Sequence, residues 1–139
     1  MFMRKVARRR RRGAAAIEMA LLAPPLCFMA VATVDFGRVY YASATISNCA
    51  RNGAIYASDP IYSATSPYAS VQEATLADAG NVSPTPTVSS STGTDSRGDP
   101  SVSVTVSCPF TTIMTYPGIP TSTTIARTVQ MRVAATTPN

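Results

Sequence analysis

Gly13, Ala14 and Glu18 are the residues whose types and spacing could do chemistry. A cut between Gly13 and Ala14 would free an α-amine four positions before Glu18, and positions four apart share a helix face. With a reference pKa of about 7.7–8.0, that amine is largely protonated near neutral pH and could neutralise the carboxylate of its own or a neighbouring subunit. Gly13 suits a tight protease subsite because it lacks Cβ, and it weakens helix continuity by about 1 kcal/mol relative to alanine. Taken alone it could equally be a spacer. The chemistry on offer is maturation followed by ion pairing, with the chain as substrate.

The elements that would position these residues lie on either side. Five consecutive arginines occupy 8–12, and residues 14–34 form an apolar run whose only charge is Glu18. About 20 helical residues at about 1.5 Å each cross a hydrocarbon core of roughly 30 Å, so 21 residues just suffice. All seven basic residues of the leader (Arg4, Lys5 and the run at 8–12) sit on one side of this segment. That asymmetry predicts a cytoplasmic N-terminus and a C-terminal domain outside. An ionised Glu18 near the start of a membrane helix costs a few kcal/mol unless it is hydrated or paired, so it calls for the new amine, Arg11 or Arg12, or the interface. Pro24 and Pro25 each remove a backbone donor and should bend or loosen the helix.

Composition narrows the function classes. From Ala14 onward there are 5 basic and 7 acidic residues, so the net charge of +5 comes from the leader and no nucleic-acid surface is indicated outside it. The chain has no histidine, no glycine-rich phosphate loop and no cysteines at metal-site spacing, so we expect no enzyme, no metal, no cofactor and no small-molecule substrate. Of three cysteines, Cys27 falls in the apolar run, whereas Cys49 and Cys108 fall beyond it, where an oxidising compartment would permit a disulfide. Whether their Cα atoms approach closely enough stays open.

Beyond the apolar run, Phe36, Val39, Tyr40, Ser43, Ile46, Ala50, Ala54 and Ala57 recur at helical spacing, which predicts one helix over 14–57. Asn52-Gly53 is a turn signal that would end it earlier. Tyr40 and Tyr41 suit an interfacial belt. Asp59-Pro60 begins a break, and a short helix should follow from 67–70 to Gly80. From Ser58 onward 29 of 82 residues are Ser or Thr, which favours exposed strands and turns. Strands are expected at 87–90, 101–108 and 123–133, the clearest placing Val102, Val104, Val106 and Cys108 on one face. The fold class is α+β: a long N-terminal helix, a short helix and a small antiparallel sheet over 58–139. Arg97-Gly98-Asp99 spells an adhesion tripeptide, but Asp95 to Pro100 also reads as a hairpin turn.

The run Arg11-Arg12-Gly13-Ala14-Ala15-Ala16-Ile17-Glu18-Met19-Ala20, with Asp35-Phe36-Gly37-Arg38, Tyr40-Tyr41-Ala42 and Asn48-Cys49-Ala50-Arg51-Asn52-Gly53-Ala54, resembles the TadE-like family. The resemblance implies a minor pilin or pseudopilin of the tight-adherence (Flp) pilus, with a pilin-like α+β arrangement. It implies a bacterial inner-membrane protein cut by a prepilin peptidase after Gly13, with other pilins, the Tad assembly machinery and membrane lipid as partners. Two rivals remain: an uncleaved single-pass anchor with a binding or scaffolding role, and an exported domain cut before Thr33.

Overall fold

The computed structural model describes residues 6–135, with side chains from Gly13 onward, so the basic side chains of the expected leader at 1–13 lie outside the described residues. Two compact units divide between Gly37 and Arg38. Helix α1, Val6–Ser58, supplies the described part of the first and opens the second. Strong helix formers dominate its early turns: Ala14, Ala15, Ala16, Met19, Ala20, Leu21 and Leu22. The backbone stays α-helical through Gly13 and through Pro24 and Pro25, although each proline removes one backbone donor. Thr33 Oγ1 donates to the Met29 carbonyl at 2.8 Å, the local bond that lets threonine sit inside a helix.

In the second unit α1 packs small residues against a sheet. Ile46, Cys49, Ala50 and Ala54 recur at steps of three and four and are fully buried, in one cluster with Ala79, Val104, Val106 and Cys108. The expected apolar stripe of α1 is therefore only partly a core stripe. Phe36 is 81% exposed and Tyr40 78% exposed, so the periodicity continues past the point where the sheet covers it. Asn52-Gly53 does not end the helix. A Cβ at Gly53 would collide with Thr75 Oγ1 and stand 3.1 Å from Val104 Cγ1, so the glycine serves close approach.

Asp59 does more than break the chain. Its Oδ1 accepts from the amides of Ile61 at 2.9 Å and Tyr62 at 3.0 Å, capping helix α2, Pro60–Thr65, with Pro60 at a first-turn position that needs no amide. This short helix goes beyond the expected break. Helix α3, Val71–Leu76, falls within the predicted short helix. Ser70 Oγ accepts from the Glu73 amide at 3.1 Å while Glu73 Oε2 accepts from the Ala69 amide at 2.8 Å, a variant of the reciprocal Ser-x-x-Glu cap.

Strands β1 (Thr87–Thr94), β2 (Pro100–Thr111) and β3 (Ser122–Arg132) form an antiparallel sheet in the order β1-β2-β3. All three expected strands are present, and β1 and β2 are longer than predicted. Period-two alternation sends Val102, Val104, Val106, Cys108 and Phe110 into the core. The opposite face carries hydroxyls, with Thr105 and Thr128 Oγ1 atoms 2.8 Å apart across β2 and β3. The sheet is fastened to α1 at the middle of β3, where Arg127 Nη2 donates to Ser43 Oγ at 2.7 Å, and just beyond its end, where the Ala134 amide donates to the Ser58 carbonyl at 2.7 Å.

Gly53→Ala sets two effects against each other. Alanine gains about 1 kcal/mol of helix propensity, whereas overpacking a filled site costs about 1–3 kcal/mol. Thr75 is fully buried and its hydroxyl is held by the Val71 carbonyl, so it has little room to give. Net destabilisation is expected, read as a lower denaturation midpoint of the detergent-solubilised chain; a higher midpoint would show that the α1–α3 contact yields.

Candidate functional site

Gly13, Ala14 and Glu18 all lie on α1 and are all exposed. The position of Gly13 is open, since a Cβ built there would meet nothing within 4 Å. Ala14 and Glu18 are one helical turn apart, and because side chains on a helix tilt toward its N-terminus, Glu18 leans toward position 14. Around and after them the helix surface is apolar: Ile17, Met19, Leu21, Leu22, Leu26, Phe28, Met29 and Val34 are all exposed. One helix in the described residues, Gly13–Ser58, is long and apolar enough to cross a membrane. Removing eight such side chains from water is worth on the order of 10 kcal/mol, so this surface demands lipid or other apolar helices.

Cys49 on α1 and Cys108 on β2 belong to the same buried cluster and are both thiols here, while Cys27 is exposed. Burial pushes the Cys49 thiol above its ordinary value, and the nearby charge of Asp78 adds to the effect. Burial alone raises Cys108, whose Sγ donates to the Pro84 carbonyl at 3.3 Å. Both stay protonated near neutral pH, which makes them poor nucleophiles and poor metal ligands.

The Arg97-Gly98-Asp99 segment is a turn. The Asp95 amide donates to the Asp99 carbonyl at 2.8 Å and the Gly98 amide to the Asp95 carbonyl at 3.0 Å, with Gly98 at φ 84° where a side chain would be strained. Arg132 pairs with both Asp95 and Asp99, so the tripeptide's carboxylate is engaged within its own sheet.

A cleft of about 520 Å³ between α1, α2, α3 and the sheet is lined by Tyr56, Pro60, Val71, Ser90, Thr92 and Val102 among others, hydroxyls and hydrocarbon without a base beside a nucleophile. A smaller one, about 200 Å³, holds the Asn52 amide 2.6 Å from Asp78 Oδ2. Among the described residues no group of His, Cys, Asp or Glu is placed to hold a metal ion. Sequence reading assigned no role to Asp35, which is only 4% exposed at the end of the apolar run; a carboxylate next to Phe36-Gly37 was the available signal.

Residues 13–54 match the sequence model of the family described as TadE-like protein. No curated protein and no solved structure matches the chain.

Hydrogen bonds from the Arg97 amide first, then the Asp99 amide and the Arg132 side chain, hold the half-buried Asp95 carboxyl below its ordinary value. A depressed carboxylate contributes stability that is complete above the unfolded-chain value and is lost as pH falls through the folded one. Asp95→Asn should therefore flatten the acid limb of stability in that window, measured by melts across an acidic pH series. An unaltered limb would remove the turn from the acid response.

Proposed function

We propose that this chain, whose residues 13–54 belong to the TadE-like family, is a minor pilin or pseudopilin of a tight-adherence (Flp) pilus, matured at its N-terminus. The observation that carries the reading is the coincidence of three things in one stretch. The family match begins at Gly13, Glu18 follows one turn after Ala14, and an uncovered apolar helix comes next. In this reading the segment crosses the bacterial inner membrane with the arginine-rich leader in the cytoplasm and the sheet-bearing unit in the periplasm or beyond.

A prepilin peptidase cuts after Gly13. The freed Ala14 amine then neutralises Glu18, in its own chain or in a neighbour, where a lone carboxylate among lipid tails would cost several kcal/mol. Pairing between subunits fixes axial register, because a shift of one residue separates the charges. Assembly thereby depends on prior cleavage. The partners are other pilins or pseudopilins, the Tad machinery and lipid. Outside the membrane, Cys49 and Cys108 share one buried cluster, and oxidising them to a disulfide would staple α1 to β2 by about 2–4 kcal/mol.

One observation favours the alternative of an uncleaved single-pass anchor with a scaffolding role: the backbone is helical without interruption through Gly13, whereas a protease takes an extended strand.

Intact mass of the membrane-extracted chain separates the two. A mature terminus at Ala14 is expected, and the same mass reports whether the outer thiols are oxidised; a terminus at Met1 would leave the anchor. Glu18→Ala should leave membrane insertion unchanged and lower recovery with pilus assemblies by about tenfold, the equivalent of about 1.4 kcal/mol. Equal recovery would take Glu18 out of the mechanism.

A further inference from the structure

The β2–β3 hairpin ends in a loop whose surface is apolar. Ile113 is 56% exposed, Met114 40% and Ile119 58%, and Tyr116, Pro117 and Pro120 lie between or beside them. The loop is closed by the Thr112 amide on the Thr121 carbonyl at 3.0 Å and turned by Gly118 at φ 79°, so it is an ordered projection of the sheet. No Asp, Glu, Lys or Arg occurs between Asp99 and Arg127, a stretch of 27 residues that contains the whole loop. At the other end of β2, Arg132 pairs with both Asp95 and Asp99.

Contacts within the second unit show which end of the hairpin lies beside the start of that unit. Arg38 Nη1 donates to the Thr111 carbonyl at 3.4 Å and its guanidinium lies 5.2 Å from the Phe110 ring centroid, which anchors the loop's base to Arg38. The opposite end of β2 is tied to the far end of α1, because Val133, whose amide donates to the Pro100 carbonyl at 2.9 Å, is followed by Ala134 on Ser58. Arg38 stands four residues after Val34, the last residue of the apolar run, so chain connectivity alone keeps it within about 14 Å of the end of that run. Phe36, Tyr40 and Tyr41 on the same stretch are exposed aromatics of the kind that populate a membrane–water interface.

We infer that the loop at 112–121 is a second membrane contact: it seats Ile113, Met114 and Ile119 in the outer interface of the bilayer that α1 crosses, beside the point where α1 leaves it. The occupant is a lipid surface, chosen by the absence of charge, by the apolar tip and by continuity with the span. The inference rests on the membrane-spanning reading of α1. With two contacts, the helix and this loop, withdrawing the protein from the lipid requires both to leave together.

The chain has no tryptophan, so single tryptophans report cleanly. The full chain is reconstituted in phosphatidylcholine vesicles, with or without bromine at shallow acyl carbons, carrying Ile119→Trp, Leu26→Trp or Ser96→Trp. All three positions are exposed, so each variant should fold. An interfacial side chain lies roughly 5–10 Å into the headgroup and acyl boundary, so the Ile119→Trp emission should fall by about half with brominated lipid. Leu26→Trp should also be quenched, and Ser96→Trp on the charged turn should not. Quenching of Leu26→Trp without Ile119→Trp overturns the second contact and leaves the span. A blue-shifted but unquenched Ile119→Trp also overturns it, because the loop then packs on protein. If Leu26→Trp is unquenched, the span itself falls, and the inference with it.

Discussion

The contact between the small residues of α1 and the valine row of β2 is the constraint on which the second unit depends. Ala50, Ala54 and Gly53 let the helix axis come close to the sheet, and Val104 and Val106 fill the space those short side chains leave. With few large side chains in this core, its stability comes from closeness of fit, and the cost of added volume at Gly53 follows directly. The same contact holds Thr75 and α3 in place, and through them the cleft beside Tyr56.

Much of this architecture was readable in the residues because it follows from period. Alternation in Val102, Val104, Val106 and Cys108 gives a buried face with no competing helical pattern, and Ser70 with Glu73 marks a helix start. What escaped was set by partners that periodicity does not name. The helical pattern runs through Asn52-Gly53, but nothing in it says that Gly53 is there for the close approach of Thr75. Asp59-Pro60 looks like a break until Asp59 is seen to cap the next turn. Phe36 keeps the helical spacing of the core residues yet is exposed, since spacing reports a face and not what covers it, whereas the exposure of Tyr40 and Tyr41 agrees with the interfacial reading of that pair.

The candidate site rests on a different kind of signal. Gly13, Ala14 and Glu18 derive their meaning from order along the chain, which the sequence carries in full, and the family match covers that same stretch. Their geometry adds only that Gly13 is open and that Ala14 and Glu18 share one helical turn. The cut and the pairing proposed for them need a peptidase and a freed Ala14 amine, neither of which an intact single chain contains.

The bond from the Ala134 amide to the Ser58 carbonyl ties the outgoing end of β3 to the last turn of α1, and the Val133 amide on the Pro100 carbonyl ties it to the first residue of β2. Three elements that are far apart in the chain therefore close on one another through two adjacent amides. Fraying at this closure would loosen the helix end and both strands together, so their amide hydrogens should exchange with solvent as one group.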